Sequence, residues 1–126
     1  MTTTISGTNG VDNIAPGTIL QEDASTLMLP LGVGQTWQNV TGSRSAGVTY
    51  TNTTGRPINV VVSGRSTSTS CQMTLTVSGV VAGESYYFLS AGSSNIGSSV
   101  SAVVPNGATY IVAASLYTIS IWSELR

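Results

Sequence analysis

From about residue 31 to the end of the chain, apolar side chains recur at every second position. In "PINVVVSG", Ile58, Val60 and Val62 share one face, opposite Asn59, Val61 and Ser63. In "CQMTLTVS", Cys71, Met73, Leu75 and Val77 alternate with Gln72, Thr74, Thr76 and Ser78. A period of two matches the pleat of a strand, not the 3.6-residue turn of a helix. "ESYYFLS" is dense in aromatic strand formers, and "SVSAVV" sets Val100, Ala102 and Val104 on one side. "ATYIVAA" is apolar on both faces, as expected of a central strand covered twice. "LYTISIWS" places Tyr117, Ile119 and Ile121 against Thr118, Ser120 and Trp122. With "VTYTNT" and "QTWQNV" the count reaches seven or eight strands, and helix signals after residue 30 are nearly absent.

The breaks between these runs carry turn residues. Asn106-Gly107, after Pro105, predicts a two-residue hairpin of type I′, which needs positive φ at both central positions. Ser78-Gly79 and Ala82-Gly83 punctuate the middle, and "SAGSSNIGSS" is a Gly/Ser loop containing Asn95. Short strands with regular turn signals predict an all-β fold, an antiparallel β-sandwich of jelly-roll type. Residues 1–30 differ. Gly7, Gly10, Pro16 and Gly17 interrupt any regular element, and Ile5, Val11, Ile14, Ile19 and Leu20 are spaced as isolated anchors. The expected organisation is an extended N-terminal arm over 1–30 and a β domain over 31–126, one domain's worth of chain.

Charge decides what such a domain can do. Only 9 of 126 residues are charged, with four Arg, no Lys and no His, while 19 Ser and 18 Thr wet the surface with hydroxyls. Without histidine, Ser-His-Asp and Cys-His arrangements cannot be built, and without lysine neither can Ser-Lys pairs or Schiff bases. Of the five acids, only Glu84 and Glu124 fall in the β domain, too few to expect a glycosidase carboxylate pair. No cluster of metal-ligand type occurs. The chain is therefore expected not to be an enzyme and to need no cofactor or metal. Scattered Arg44, Arg56, Arg65 and Arg126, with a net charge of −1, give no reason to expect nucleic-acid binding. No apolar run is long enough to span a membrane as a helix, and "MTTTISGTNGVDN" lacks the basic start and apolar core of a secretory signal. Cys71, the single cysteine, is expected to point inward as a small hydrophobe. Charge scarcity also fits surface buried against further copies of the chain, where ions would have to be desolvated.

Surface recognition survives these exclusions. Sugars are held by aromatic faces together with amide, hydroxyl and Arg groups; Tyr86, Tyr87, Asn95 and Arg65 are the candidate receptor contacts. Tyr86 and Tyr87 are adjacent on a strand and so face opposite sides. Two N-x-T triplets, Asn39–Thr41 and Asn52–Thr54, match glycosylation acceptors, but Asn and Thr on exposed strand faces account for them more simply.

The long block "LGVGQTWQNVTGSRSAGVTYTNTTGRPINVVVSG", with "VVPNGATYIV" and "IWSELR" at the far end, closely resembles a module of tail-fibre and related virion proteins of tailed bacteriophages. The similarity covers about residues 31–126. The opening "TTISGTNGVDNIAPGTI" is similar, in composition, to the starts of many phage structural proteins. The resemblance implies a small, non-catalytic β domain at the distal end of a homotrimeric fibre, assembled in the host bacterial cytoplasm and carried on the virion. In such a protein Ile5, Val11, Ile14, Ile19 and Leu20 would dock on another virion protein, and the β domain would contact a host surface glycan. Trp37 would anchor the start of the module to its body, and Arg44 would pair or cap locally. Because the chain has only about 30 residues before the β domain, no long shaft, the alternative is a capsid decoration, head-fibre or collar protein with a purely structural role.

Overall fold

In a computed structural model, residues 29–88 and 95–126 are described, and they form eight strands with one short 3-10 turn at Thr41–Ser43. The strands are β1 (Trp37–Asn39), β2 (Thr49–Thr51), β3 (Ile58–Ser66), β4 (Ser70–Val77), β5 (Val80–Phe88), β6 (Ile96–Val104), β7 (Thr109–Ser115) and β8 (Thr118–Leu125). They make two antiparallel four-stranded sheets, ordered β1-β8-β3-β6 and β2-β7-β4-β5. This is the strand order of a jelly roll. The arm residues Ile5, Val11, Ile14, Ile19 and Leu20 lie outside the described residues.

The period-two faces expected for β3, β4 and β6 are those that meet in the core. Ile58, Val60, Val62, Cys71, Met73, Leu75, Val77, Val100 and Val104 are buried, joined by Tyr110, Val112, Tyr117 and Trp122. Burying β-branched and aromatic side chains between two pleated faces is the main source of stability here, at ~25 cal/mol per Å² of apolar area. Cys71 is a buried free thiol.

Four expectations change. Asn106-Gly107 does not close a hairpin, because β6 and β7 lie in different sheets. Gly107 has φ +78 while Asn106 is not left-handed, so the turn, closed by Ala108 N–H to Pro105 C=O at 3.1 Å, is not type I′. The single hairpin is instead β4–β5, where Ser78 (φ 49) and Gly79 (φ 81) provide the two positive angles of a type I′ turn. Second, β8 does not keep Tyr117, Ile119 and Ile121 on one face. Register against β3 shifts between Ser63 and Gly64, leaving Ser120 as the extra residue of a bulge. Beyond it the inward face passes to Trp122 and Glu124, and Ile121 is exposed. Third, β7 is interior to its sheet but covered on one face only, with Ile111 half-buried and Ala113 exposed on the other. Fourth, Trp37 anchors nothing in this domain: it is 55% exposed on the outer side of β1, and Trp122 is the buried indole.

The two open sides of the sandwich are sealed differently. On one side β5 approaches β6 so closely that a Cβ on Gly83 would sit 3.1 Å from the Ser101 carbonyl oxygen. Small side chains permit this, and the Ser85 and Ser98 hydroxyls hydrogen-bond across the gap. On the other side the gap is plugged by charge. Glu124, 0% exposed, accepts from Arg44 Nε and Nη2 (3.0 and 3.2 Å), Arg126 Nη1 (2.9 Å) and the Tyr110 hydroxyl (2.7 Å). Arg44 also lies over the Tyr50 ring, 4.6 Å from its centroid, and Tyr50 stands edge-on to Trp122. The Arg44 ion pair thus reaches 80 residues along the chain, while its Nη1 also donates locally to the Ser43 carbonyl at 3.3 Å. Burial works against the Arg44 charge, but the hydrogen bond and charge of Glu124 outweigh it and raise its pKa.

The N-x-T triplets are turn devices. Asn39 Oδ1 accepts the Thr41 N–H (3.1 Å) and hydroxyl (2.7 Å), and Asn52 Oδ1 faces the Thr54 N–H and hydroxyl in the same way. Asn52 is not on an exposed strand face but 1% exposed, its amide directed at the carbonyls of Arg56, Val104 and Pro105. An Asx turn reinforced by a threonine hydroxyl gives the backbone partners where no strand can.

Candidate functional site

The 3-4 and 7-8 connections and the start of β6 meet at one end of the sandwich, and there they border a shallow hollow of about 420 Å³. Arg65 and Ser66 enter it from the end of β3, Asn95 from the start of β6, and Leu116, Tyr117 and Thr118 from the turn into β8. Thus two of the four candidate receptor residues, Arg65 and Asn95, thirty positions apart, line one depression. The other two do not. Tyr86 projects from the outer face of β5, 60% exposed and paired with Gln72, while Tyr87 turns inward beside Cys71 and packs half-buried on the core.

One buried hydroxyl sets the shape of the hollow. Ser66 Oγ donates to the Leu116 carbonyl and accepts from the Ser68 N–H at 3.1 Å. This ties the turn after β3 to the turn before β8. Leu116 is held at φ 59, a left-handed angle unusual for a leucine, with its side chain largely in solvent. Tyr117 borders the hollow, but its ring is buried in the core and only 7% of the residue is exposed. Burial raises the Tyr117 pKa, so its ring stays neutral at physiological pH. The remaining lining is hydroxyl and amide.

A second hollow, about 370 Å³, adjoins the first on the outer face of the β3–β6–β8 sheet and shares Arg65 with it. Its origin is local. Gly97 stands opposite Arg65 in the register with no side chain, and a Cβ added there would meet nothing within 4 Å. The bulge at Ser120 displaces Ile121 from its neighbours, leaving a dip edged by Ser63 and Ser99.

Arg65 is electrostatically distinct. Arg44 and Arg126 are paired with Glu124, and Arg56 donates to the carbonyls of Pro30 and Val33. Arg65 is exposed and, among the described residues, makes no ion pair and no side-chain hydrogen bond. Among the described residues no acid lines either hollow. The site offers a cation, an amide and hydroxyls, which is equipment for holding a polar ligand.

Of the residues that line this hollow, the sequence reading names Arg65 and Asn95 as candidate contacts and passes over Ser66 and Leu116. A Ser-Leu-Tyr turn has no glycine to announce a left-handed angle, and the Ser66 contact spans 50 positions. No protein-family model matches the chain, and no curated protein matches it.

Proposed function

We propose that this chain is a non-catalytic virion protein of a tailed bacteriophage, a short tail-fibre tip that touches a host surface glycan through the loop end of its β domain. The observation that carries the reading is the convergence of Arg65, Asn95 and the hydroxyls of Thr67, Ser68 and Thr118 on one open hollow with no acid among the described residues that line it. The resemblance of residues 31–126 to tail-fibre modules supplies the virion context. On this reading residues 1–30 join the particle and the β domain forms a trimer, for which Val61, Ile111 and Ala113 leave uncharged surface on the outer sheet faces. A glycan array and intact candidate host cells test it. The folded protein is expected to bind, and an Arg65→Ala, Asn95→Ala double variant to lose binding while unfolding at the same denaturant concentration. Folded protein that binds neither sugars nor cells would refute it.

A second reading is favoured by a different surface. Val81, Tyr86 and Phe88 lie exposed along β5, outside the hollow's lining, with Glu84 between them hydrogen-bonded to Gln72 of β4. A capsid decoration, head-fibre or collar protein would bury such a stripe against a neighbour. Host adsorption would then be normal without the protein, and a Tyr86→Ser, Phe88→Ser variant would be absent from particles.

A further inference from the structure

We infer that the two hollows meeting at Arg65 form one groove for an acidic saccharide, with a sugar carboxylate on the Arg65 guanidinium. This deepens the receptor reading above and rests on it. Three observations carry it. First, on a surface almost without charge, Arg65 is the one described arginine lacking a protein acceptor, while its three counterparts are all occupied. A guanidinium presents a planar fork that matches a carboxylate with two parallel hydrogen bonds. Second, among the described residues no Asp or Glu lines either hollow to repel an anion. Third, Arg65 belongs to both hollows, so a ligand bonded to it has room on two sides. At about 420 and 370 Å³ each is near the lower end of small-ligand sites, ~300–1,000 Å³, a scale suited to one or two sugar rings apiece. Asn95 and the hydroxyl residues Thr67, Ser68 and Thr118 line the first hollow, and Ser63, Ser99 and Ser120 supply hydroxyls in the second. A chain with at least two residues, one of them a uronate or sialate, uses all of these features.

The test is a panel of oligosaccharides, each as the uronate or sialate free acid and as its uncharged methyl ester, titrated into the full chain by calorimetry. Free acids are expected to bind about 10- to 100-fold more tightly than their esters, the scale of a charge-assisted hydrogen bond. Arg65→Gln should abolish that difference. Ser99→Phe fills the second hollow from the position paired with Ser63 rather than from the one opposite Arg65, and the exposure of Ser99 on β6 lets the variant fold. It should weaken the oligomers and spare the acidic monosaccharides. Equal binding of acid and ester overturns the inference but leaves the receptor reading intact, as does binding confined to neutral or phosphorylated sugars. An Arg65→Gln variant that keeps the acid preference also overturns it. If no saccharide binds the folded chain, both fail together.

Discussion

Replacing Glu124 by glutamine keeps the size of the side chain and removes the only negative charge from the plug that closes one side of the sandwich. In the native chain its carboxylate accepts four hydrogen bonds, three from two arginines and one from Tyr110, at 2.7–3.2 Å. The glutamine amide retains one acceptor oxygen, turns an NH2 toward donors, and leaves Arg44 and Arg126 as uncompensated like charges. Their side chains are only 16% and 27% exposed, so water screens them poorly. Removing one partner from a buried ion pair costs about 3–5 kcal/mol, against a whole-domain stability of ~5–15 kcal/mol. With m near 1.5 kcal/mol/M in urea, the midpoint falls by about 2–3 M. Arg44→Met is milder, about 1.5–3 kcal/mol, because it leaves Glu124 with Arg126 as a neutral pair and loses two charge-assisted bonds and the stacking on Tyr50. The double variant costs less than the sum, since it relieves the arginine repulsion. Urea unfolding followed by Trp122 fluorescence reads all three. A Glu124→Gln loss below about 1 kcal/mol, or strict additivity, would refute the reasoning.

Other consequences are equally direct. Burial, with the hydrogen bond and charge of Glu124, pushes the Tyr110 pKa up to about 12 from an ordinary value near 10. Between those values the folded chain holds a proton that the unfolded chain has lost, so stability falls as pH rises from about 10 to 12; urea midpoints flat across that interval would contradict this. Gly83→Val forces β5 from β6 at the 3.1 Å approach to Ser101 and should cost about 1–3 kcal/mol, whereas Gly97→Val, with nothing within 4 Å, should cost almost nothing; their denaturation midpoints decide. Asn52→Ala strips partners from three carbonyls and should lose about 2–3 kcal/mol in the same assay; Asn52→Asp should be worse at neutral pH, since it turns a charge toward those oxygens.

What was legible in the sequence was the part governed by short-range pattern. The alternation of Ile58, Val60 and Val62 and of Cys71, Met73, Leu75 and Val77 gave the buried faces directly, because one inward residue in two is the rule for any half-covered sheet. Two bulges broke that rule. At Ser120 and Ala82 a single extra residue moves later side chains to the other face; nothing in a serine marks the first, and Ala82-Gly83, expected as a break between runs, lies inside β5 as the second. The Asn106-Gly107 signal is real as a turn but says nothing about which sheet the next strand joins. In a jelly roll six of the seven connections cross between sheets, so a tight turn joins a hairpin only at Ser78-Gly79. The Glu124 cluster was hidden for another reason: its arginines lie 80 residues before it and two after, and only the closed sandwich brings them together. Of the hollow's lining, Arg65 and Asn95 were nameable because an arginine and a loop amide stand out in so neutral a sequence. The place of Leu116 depends on a backbone angle tied to a hydroxyl 50 residues away.

Cryo-electron microscopy of purified phage particles tests the central claim, that the molecule acts by where it sits and what its loop end touches. The expected map has the β domain of residues 31–126 standing off the particle in threefold groups, residues 1–30 against another virion protein, and Arg65, Asn95 and Leu116 facing away from the particle. Particles that lack the chain, or a map with that end seated against the particle, would contradict the account.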